Sequence, residues 1–528
     1  MNTGNFELKN NRPSLRDEFC VWSTVGNGEA EYEISEEYIL PDYLPDIKKI
    51  LFVKSDVSEN DEFIGDGRAE FGGEAVFNII YSGDSGSPRC VSRAFNYLNG
   101  IELESIYDES IIDSRSHIKN RTVRALSPRK ILIKAKVVTR INVRNKVCVS
   151  PRLTGGSGME DEFTLERKVN YIDCVNFARI TEKDIRMSED IEYRGKYPIS
   201  ELICAVADAV TGDCKYDSGK MTLRGNVRLG FLVAAGDGEQ NIEWVCKLIP
   251  FEQVLETDGL PDKAECMAEL CVTAFEYGVA NDSYGESRIL EADLCCMAKI
   301  TVCSNASAMF TDDVYSTAFE YKNTYREITT EKITACFSGN FSADGSAELS
   351  LRDGSGPVSA VMSDGDCELT FNGIDNGKLK FSGECTVRVI LYNGGEGYNT
   401  SDITFPIKYE APSSGASKCK VIADSNIIDI RTSVDGNKLS ANVEIGVNCM
   451  VLENITAATV SQIDLDKSSP LKGETDKALL LYYPEKGEGM WDVAKRYSIP
   501  ESLLVSANRD RISEKGMPAV LVIPQNKK

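Results

Sequence analysis

Gly67-Arg68-Ala69-Glu70-Phe71-Gly72-Gly73-Glu74-Ala75-Val76-Phe77-Asn78-Ile79-Ile80-Tyr81 places Ala75, Phe77, Ile79 and Tyr81 at every second position. That period is the signature of a strand buried on one face. The chain repeats the pattern twice. Gly219-Lys220-Met221-Thr222-Leu223-Arg224-Gly225-Asn226-Val227-Arg228-Leu229-Gly230-Phe231-Leu232-Val233 aligns Val227, Leu229, Phe231 and Val233. Gly377-Lys378-Leu379-Lys380-Phe381-Ser382-Gly383-Glu384-Cys385-Thr386-Val387-Arg388-Val389-Ile390-Leu391 aligns Cys385, Val387, Val389 and Leu391. All three copies carry a glycine on the inward face, Gly73, Gly225 and Gly383, which predicts a bulge or a close approach of another backbone.

Other landmarks recur with the same spacing, so whole domains are repeated. Phe6-Glu7-Leu8-Lys9, Leu165-Glu166-Arg167-Lys168 and Phe319-Glu320-Tyr321-Lys322 open the units. An apolar segment ending in aspartate follows in each: Ile50 to Asp56, Leu202 to Asp208, Val358 to Asp364. Ile133 to Val137, Leu290 to Leu294 and Leu439 to Val443 close them. The polar or glycine-rich stretches Pro151 to Glu162, Ser304 to Asp313 and Asp464 to Asp476 read as linkers. The expected fold class is mainly β, with sandwich-like repeats over 1–150, 160–305 and 312–465 and a small α/β domain over 477–526.

Composition narrows the partners. The 528 residues are too many for one core, and 82 acidic against 59 basic side chains give a net charge of -23. That charge repels phosphate backbones, so no nucleic acid is expected. No apolar run is long enough to span a bilayer, and Met1 to Phe6 lacks a basic region followed by an apolar one, so no membrane insertion and a cytoplasmic location are expected. Seventeen cysteines without a Cys-x-x-Cys pair are expected as reduced thiols.

Lys477 to Gln525 has a different period. Met490, Val493, Ala494 and Tyr497 form one helical face, and Ile499-Pro500 announces a second helix with Leu503, Leu504 and Ala507, closed by Asn508. Tyr482-Tyr483-Pro484 and Ala519 to Pro524 supply strands on either side. This β-α-α-β order, with Gly-x-x-Met-Trp-x-x-Ala-x-x-Tyr, Asn508 and the terminal Ile-Pro, resembles a LysM domain. Glu488-Gly489 replaces the Asp and Thr or Ser usual there. Together the repeats and the module resemble the clostridial spore-coat morphogenetic family with SPOCS domains, whose closest local match is Leu40-Pro41-Asp42-Tyr43-Leu44-Pro45-Asp46-Ile47.

The resemblance implies a non-enzymatic scaffold in the mother-cell cytoplasm, at the forespore surface. Its LysM would bind the coat-basement ATPase and its repeats other coat proteins. Partner contacts are expected at Gly487, Glu488, Gly489, Trp491, Asn508, Arg509 and Asp510, with Trp491 reaching the module's edge. The alternative is a peptidoglycan or N-acetylglucosamine binder, the ordinary role of LysM.

Catalytic signals are weak. Gly83-Asp84-Ser85-Gly86-Ser87-Pro88 imitates a serine-protease nucleophile, but His117, the one histidine, follows it, and the repeats place Gly236-Asp237-Gly238 and Asn393-Gly394-Gly395 there, as hairpin turns. His117 reads as a surface side chain. Cys266, Cys271, Cys295, Cys296 and Cys303 lack zinc-site spacing, and Gly155-Gly156-Ser157-Gly158 lacks the Lys-Ser/Thr of a phosphate loop. No catalytic residue, metal or cofactor is expected.

Overall fold

The computed structural model describes residues 18–84, 86–156, 159–236, 241–257, 260–261, 263–350, 357–394, 397–412, 419–471, 479–511 and 517–524. Phe6 to Lys9, the expected opening of the first repeat, lies outside them. The protein is mainly β, and the alternating segments are strands. The first six are β1 (Phe19–Ile39), β2 (Lys49–Gly65), β3 (Arg68–Ser82), β4 (Pro88–Glu102), β5 (Ile111–Ser127) and β6 (Lys130–Val149). They form two antiparallel sheets, β1-β6-β5 and β2-β3-β4, whose inward rows meet around Phe77, Ile79, Tyr81, Ile131, Ile133 and Val137. Leu40 to Ile47 turns between β1 and β2, where Arg129 donates to the carbonyls of Leu40, Pro41 and Leu44.

After β7 (Arg152–Thr154) and the one-turn helix α1 (Met159–Glu162) come β8 (Leu165–Glu192), β9 (Ile199–Asp217), β10 (Lys220–Ala235), β11 (Ile242–Glu256), β12 (Glu265–Asn281) and β13 (Ser287–Ser316). The next set is β14 (Phe319–Glu348), β15 (Val358–Asp375), β16 (Lys378–Asn393), β17 (Gly397–Pro412), β18 (Cys419–Asp435) and β19 (Lys438–Pro470). In each set the first strand pairs the sixth and the sixth the fifth, while the third lies between the second and fourth. In the second set one residue pair, Glu265 with Lys215, joins the two sheets edge to edge.

The three sandwiches close into a ring. β4 meets β9, β11 meets β15 and β17 meets β2, the fourth strand of each set against the second of the next. Arg89 pairs with Glu201 at 2.9 Å in the first joint, and Lys49 donates to Asn399 at 3.0 Å in the last. Phe52, Ile80, Cys204, Leu232, Met362 and Ile390 make a shared apolar layer at the centre. Above it stand the three equivalent aspartates. Lys54 Nζ lies 2.7 Å from Asp208, 3.1 Å from Asp364 and 3.6 Å from Asp56, and Arg228 donates to Asp208 and Asp364 at 2.6 Å each.

The stretches read as linkers are mostly strand or helix where they are described, and 157–158 and 472–476 lie outside the described residues. Ser304 to Asp313 lies inside β13, Asp464 to Pro470 belongs to β19, and β7 adds a parallel strand beside Gln462 to Asp464. Their alternation uses small and hydroxyl side chains, which read as polar: Ala306, Ala308 and Phe310 face inward against Phe19, Val149 and Ile328. The β8–β13 and β14–β19 ladders therefore run 28 to 33 residues per strand, roughly 90–110 Å, far past the sandwiches, as a stalk.

The inward glycines are sites of close backbone approach. A Cβ would lie 1.9 Å from the Ser58 carbonyl oxygen at Gly73, 2.6 Å from that of Val210 at Gly225, and 1.8 Å from that of Glu368 at Gly383. Gly383→Ala is expected to lower stability by about 1–3 kcal/mol through overpacking. Gly394→Ala, in a turn where a Cβ meets nothing within 4 Å, serves as the reference. Equal thermal melts of the two variants would refute the steric account.

Two further expectations change. The cysteines are not all thiols: Cys20 and Cys148 stand opposite in the β1–β6 register, their Cα atoms 4.1 Å apart, and form a disulfide, while the other fifteen remain thiols. His117 is half-buried on β5, and burial followed by the charges of Lys119 and Arg140 lowers its pKa. Among the described residues no helix is long and apolar enough to cross a membrane.

Candidate functional site

Beyond the stalk the chain forms β20 (Leu480–Tyr482), α2 (Met490–Arg496), α3 (Glu501–Ala507), a 3-10 turn at Arg509–Arg511 and β21 (Leu521–Ile523). Val493 and Ala494 are fully buried, as the helical spacing requires, with Leu504, Ile499 and Leu521. Gly489 begins α2, and its N–H donates to Asp492 at 2.8 Å, the half of a capping box that needs no side chain at the cap.

Trp491 departs from expectation. It is buried, not at a free edge: its Nε1 donates to Asp313 at 2.9 Å and its ring meets Tyr315 edge-on at 4.8 Å. Lys495 pairs with the same Asp313 carboxylate at 2.6 Å, and Tyr315 Oη donates to the Ile499 carbonyl at 2.7 Å. Burial opposes the Asp313 charge, but Lys495 and Trp491 outweigh it and hold the carboxyl below its usual range. Trp491 thus fixes the module to β13. Asp313 ends a stretch that reads as a linker, so no sequence signal pairs the two.

Asn508 also has an internal role. Its Nδ2 donates to the Leu504 and Val522 carbonyls at 2.9 and 2.7 Å, and its Oδ1 accepts from Val522 N–H at 2.7 Å. Glu488 accepts from Glu485 N–H and Tyr482 Oη at 2.8 Å each and pairs with Arg496 at 2.5 Å, so it braces the first loop. The Glu485 and Tyr482 bonds keep its carboxyl below the usual range. Gly489 is half-buried at the helix start, leaving Gly487, Arg509 and Asp510 as the expected contacts that are exposed.

The structure adds an unexpected feature to this surface. Leu479, Leu481 and Tyr483 alternate outward at 63%, 45% and 68% exposure, while Leu480 and Tyr482 point into the core. Leu481 stands opposite Val522, whose N–H and C=O are both taken by Asn508 on the far side. In an antiparallel pair such a residue faces a partner it does not hydrogen-bond, so the N–H and C=O of Leu481 point to the edge of β20 that is open among the described residues. The sequence gives no alternation to mark this face, because 479–483 are five consecutive apolar or aromatic residues.

No family model, curated protein or solved structure matches this chain.

Proposed function

We propose that the protein is a non-enzymatic scaffold of spore-coat assembly, acting in the mother-cell cytoplasm at the forespore surface, with SPOCS-type repeats and a terminal LysM-type module. The open edge of β20 carries this reading. It combines backbone groups at Leu481 that meet no partner among the described residues with the apolar row Leu479, Leu481 and Tyr483, on a module that also exposes Arg509 and Asp510. An extended segment of a partner can add to such an edge, with main-chain bonds giving affinity and alternate side chains giving specificity. The partner is the coat-basement ATPase, and the repeats hold other coat proteins. The strand-helix-helix-strand order and the motif around Met490-Trp491 support the LysM assignment.

Leu481→Asp and Arg509→Glu in the full chain test it, since both side chains are exposed and the fold should persist. Each is expected to reduce capture of the coat-basement ATPase at least tenfold, with unchanged melting. Trp491→Ala is a poor probe because it also releases the module from β13. Micromolar binding of chito-oligosaccharides by calorimetry, lost on Arg509→Glu while ATPase capture persists, would transfer the assignment to the glycan-binding alternative.

A further inference from the structure

The fifth strands of the three sandwiches, β5, β12 and β18, converge on a cavity of about 420 Å³. In a chain of net charge -23, five cations line it: Arg115, Arg140, Arg179, Lys299 and Lys420, against Asp113 and Glu269. Three are committed to acids around the cavity, Arg140 to Glu29 at 2.6 Å, Arg179 to Glu62 at 2.8 Å, and Lys299 to Glu59. The other two are held loosely. Arg115 reaches Glu269 and Asp424 only at 3.6 and 3.7 Å and donates to the Ala423 carbonyl at 3.3 Å. Lys420 lies 3.3 Å from both Glu331 and Thr24. Burial raises the Glu269 carboxyl against the pull of Arg115. Met267, Ile422 and Met450 supply apolar wall.

We infer that this cavity binds a small organic anion, its carboxylate or phosphate group held between Arg115 of the first sandwich and Lys420 of the third. The volume falls within the ordinary range of small-molecule sites, roughly 300–1,000 Å³. An arginine fork and a lysine point charge suit oxyanions of either kind. Because the ligating groups come from different units, an occupant would also tie the ring together.

Citrate and inorganic phosphate, titrated into the full chain against chloride at matched ionic strength, test the inference. Saturable binding and a concentration-dependent rise in melting temperature are expected for at least one of them. Arg115→Gln and Lys420→Gln should each weaken binding about tenfold or more, and Arg140→Gln, which removes a committed cation, less than threefold. Absence of saturable binding to either anion would overturn the assignment. So would an equal rise in the Arg115→Gln/Lys420→Gln double variant, the mark of general salt exclusion, or an equal loss with Arg140→Gln, the mark of diffuse charge. Melting without anion shows whether each variant is folded.

Discussion

Arg144→Met is expected to destabilise the protein by about 3–5 kcal/mol, the cost of removing one member of a buried ion pair. Arg144 is fully buried where the three sandwiches meet the stalk. It pairs with Asp113 on β5, its Nε lies 3.7 Å from Glu331 on β14, and its guanidinium stands 4.5 Å over the ring of Phe177 on β8. One side chain therefore touches all three units. Burial opposes its charge, and Asp113 followed by Glu331 more than offsets that. Methionine would fill the space but take from Asp113 its ion-pair partner and leave Glu331 with Lys420 alone, at 3.3 Å. The double variant Arg144→Met/Asp113→Asn should recover part of the loss. Thermal or urea unfolding of the full chain is the measurement, and a loss below about 1 kcal/mol would show that the site is wet and the contacts incidental.

Lys54→Met should cost a comparable amount, roughly 3–5 kcal/mol at pH 8, because Lys54 and Arg228 together face three carboxylates. The carboxylate in excess is Asp56. Burial raises it, Lys54 pulls it down, Asp208 and Asp364 raise it again, and it is pushed up to about 7. Asp208 is also opposed by burial, but Lys54 and Arg228 hold it well below its ordinary range. The two act oppositely on stability. Asp56 takes up a proton on folding, so its effect is a loss of stability as pH rises from about 4 to about 7. Asp208 contributes stability above about pH 4 that disappears only as pH falls through its lowered pKa. Asp56→Asn should therefore stabilise the protein at pH 8, and the gain should shrink as pH is lowered toward 5. With the Asp56 side chain 45% exposed, solvent screening limits the gain to about 1 kcal/mol. A gain that stays constant from pH 5 to 8 would show that Asp56 does not titrate in this window.

The strands were legible because their inward rows are apolar at period two, as at Ala75 to Tyr81 and Val227 to Val233. The recurrence of an aspartate after each second-strand segment was legible too. That Asp56, Asp208 and Asp364 face one another was not, because polar residues on the outer face of a strand look the same whether they meet water or another sandwich. The stalk was hidden for a related reason, since Ala306 and Ala308 carry too little apolar area to mark a buried row. In the C-terminal module the helical stripe identified the core, but Trp491 could be placed only once β13 was known to extend to Asp313 and Tyr315.

Closure of the ring also sets a timetable for biosynthesis. Lys49 and Asn399, which meet in the last joint, are 350 residues apart. At about 5–20 residues per second, roughly 20–70 s separate the emergence of the two from the ribosome. Throughout that interval the first sandwich presents Leu51, Phe52 and Ile80 with no third unit to cover them. The nascent chain is thus a natural client for chaperones, and a pause in translation before β17 would lengthen its exposure to aggregation.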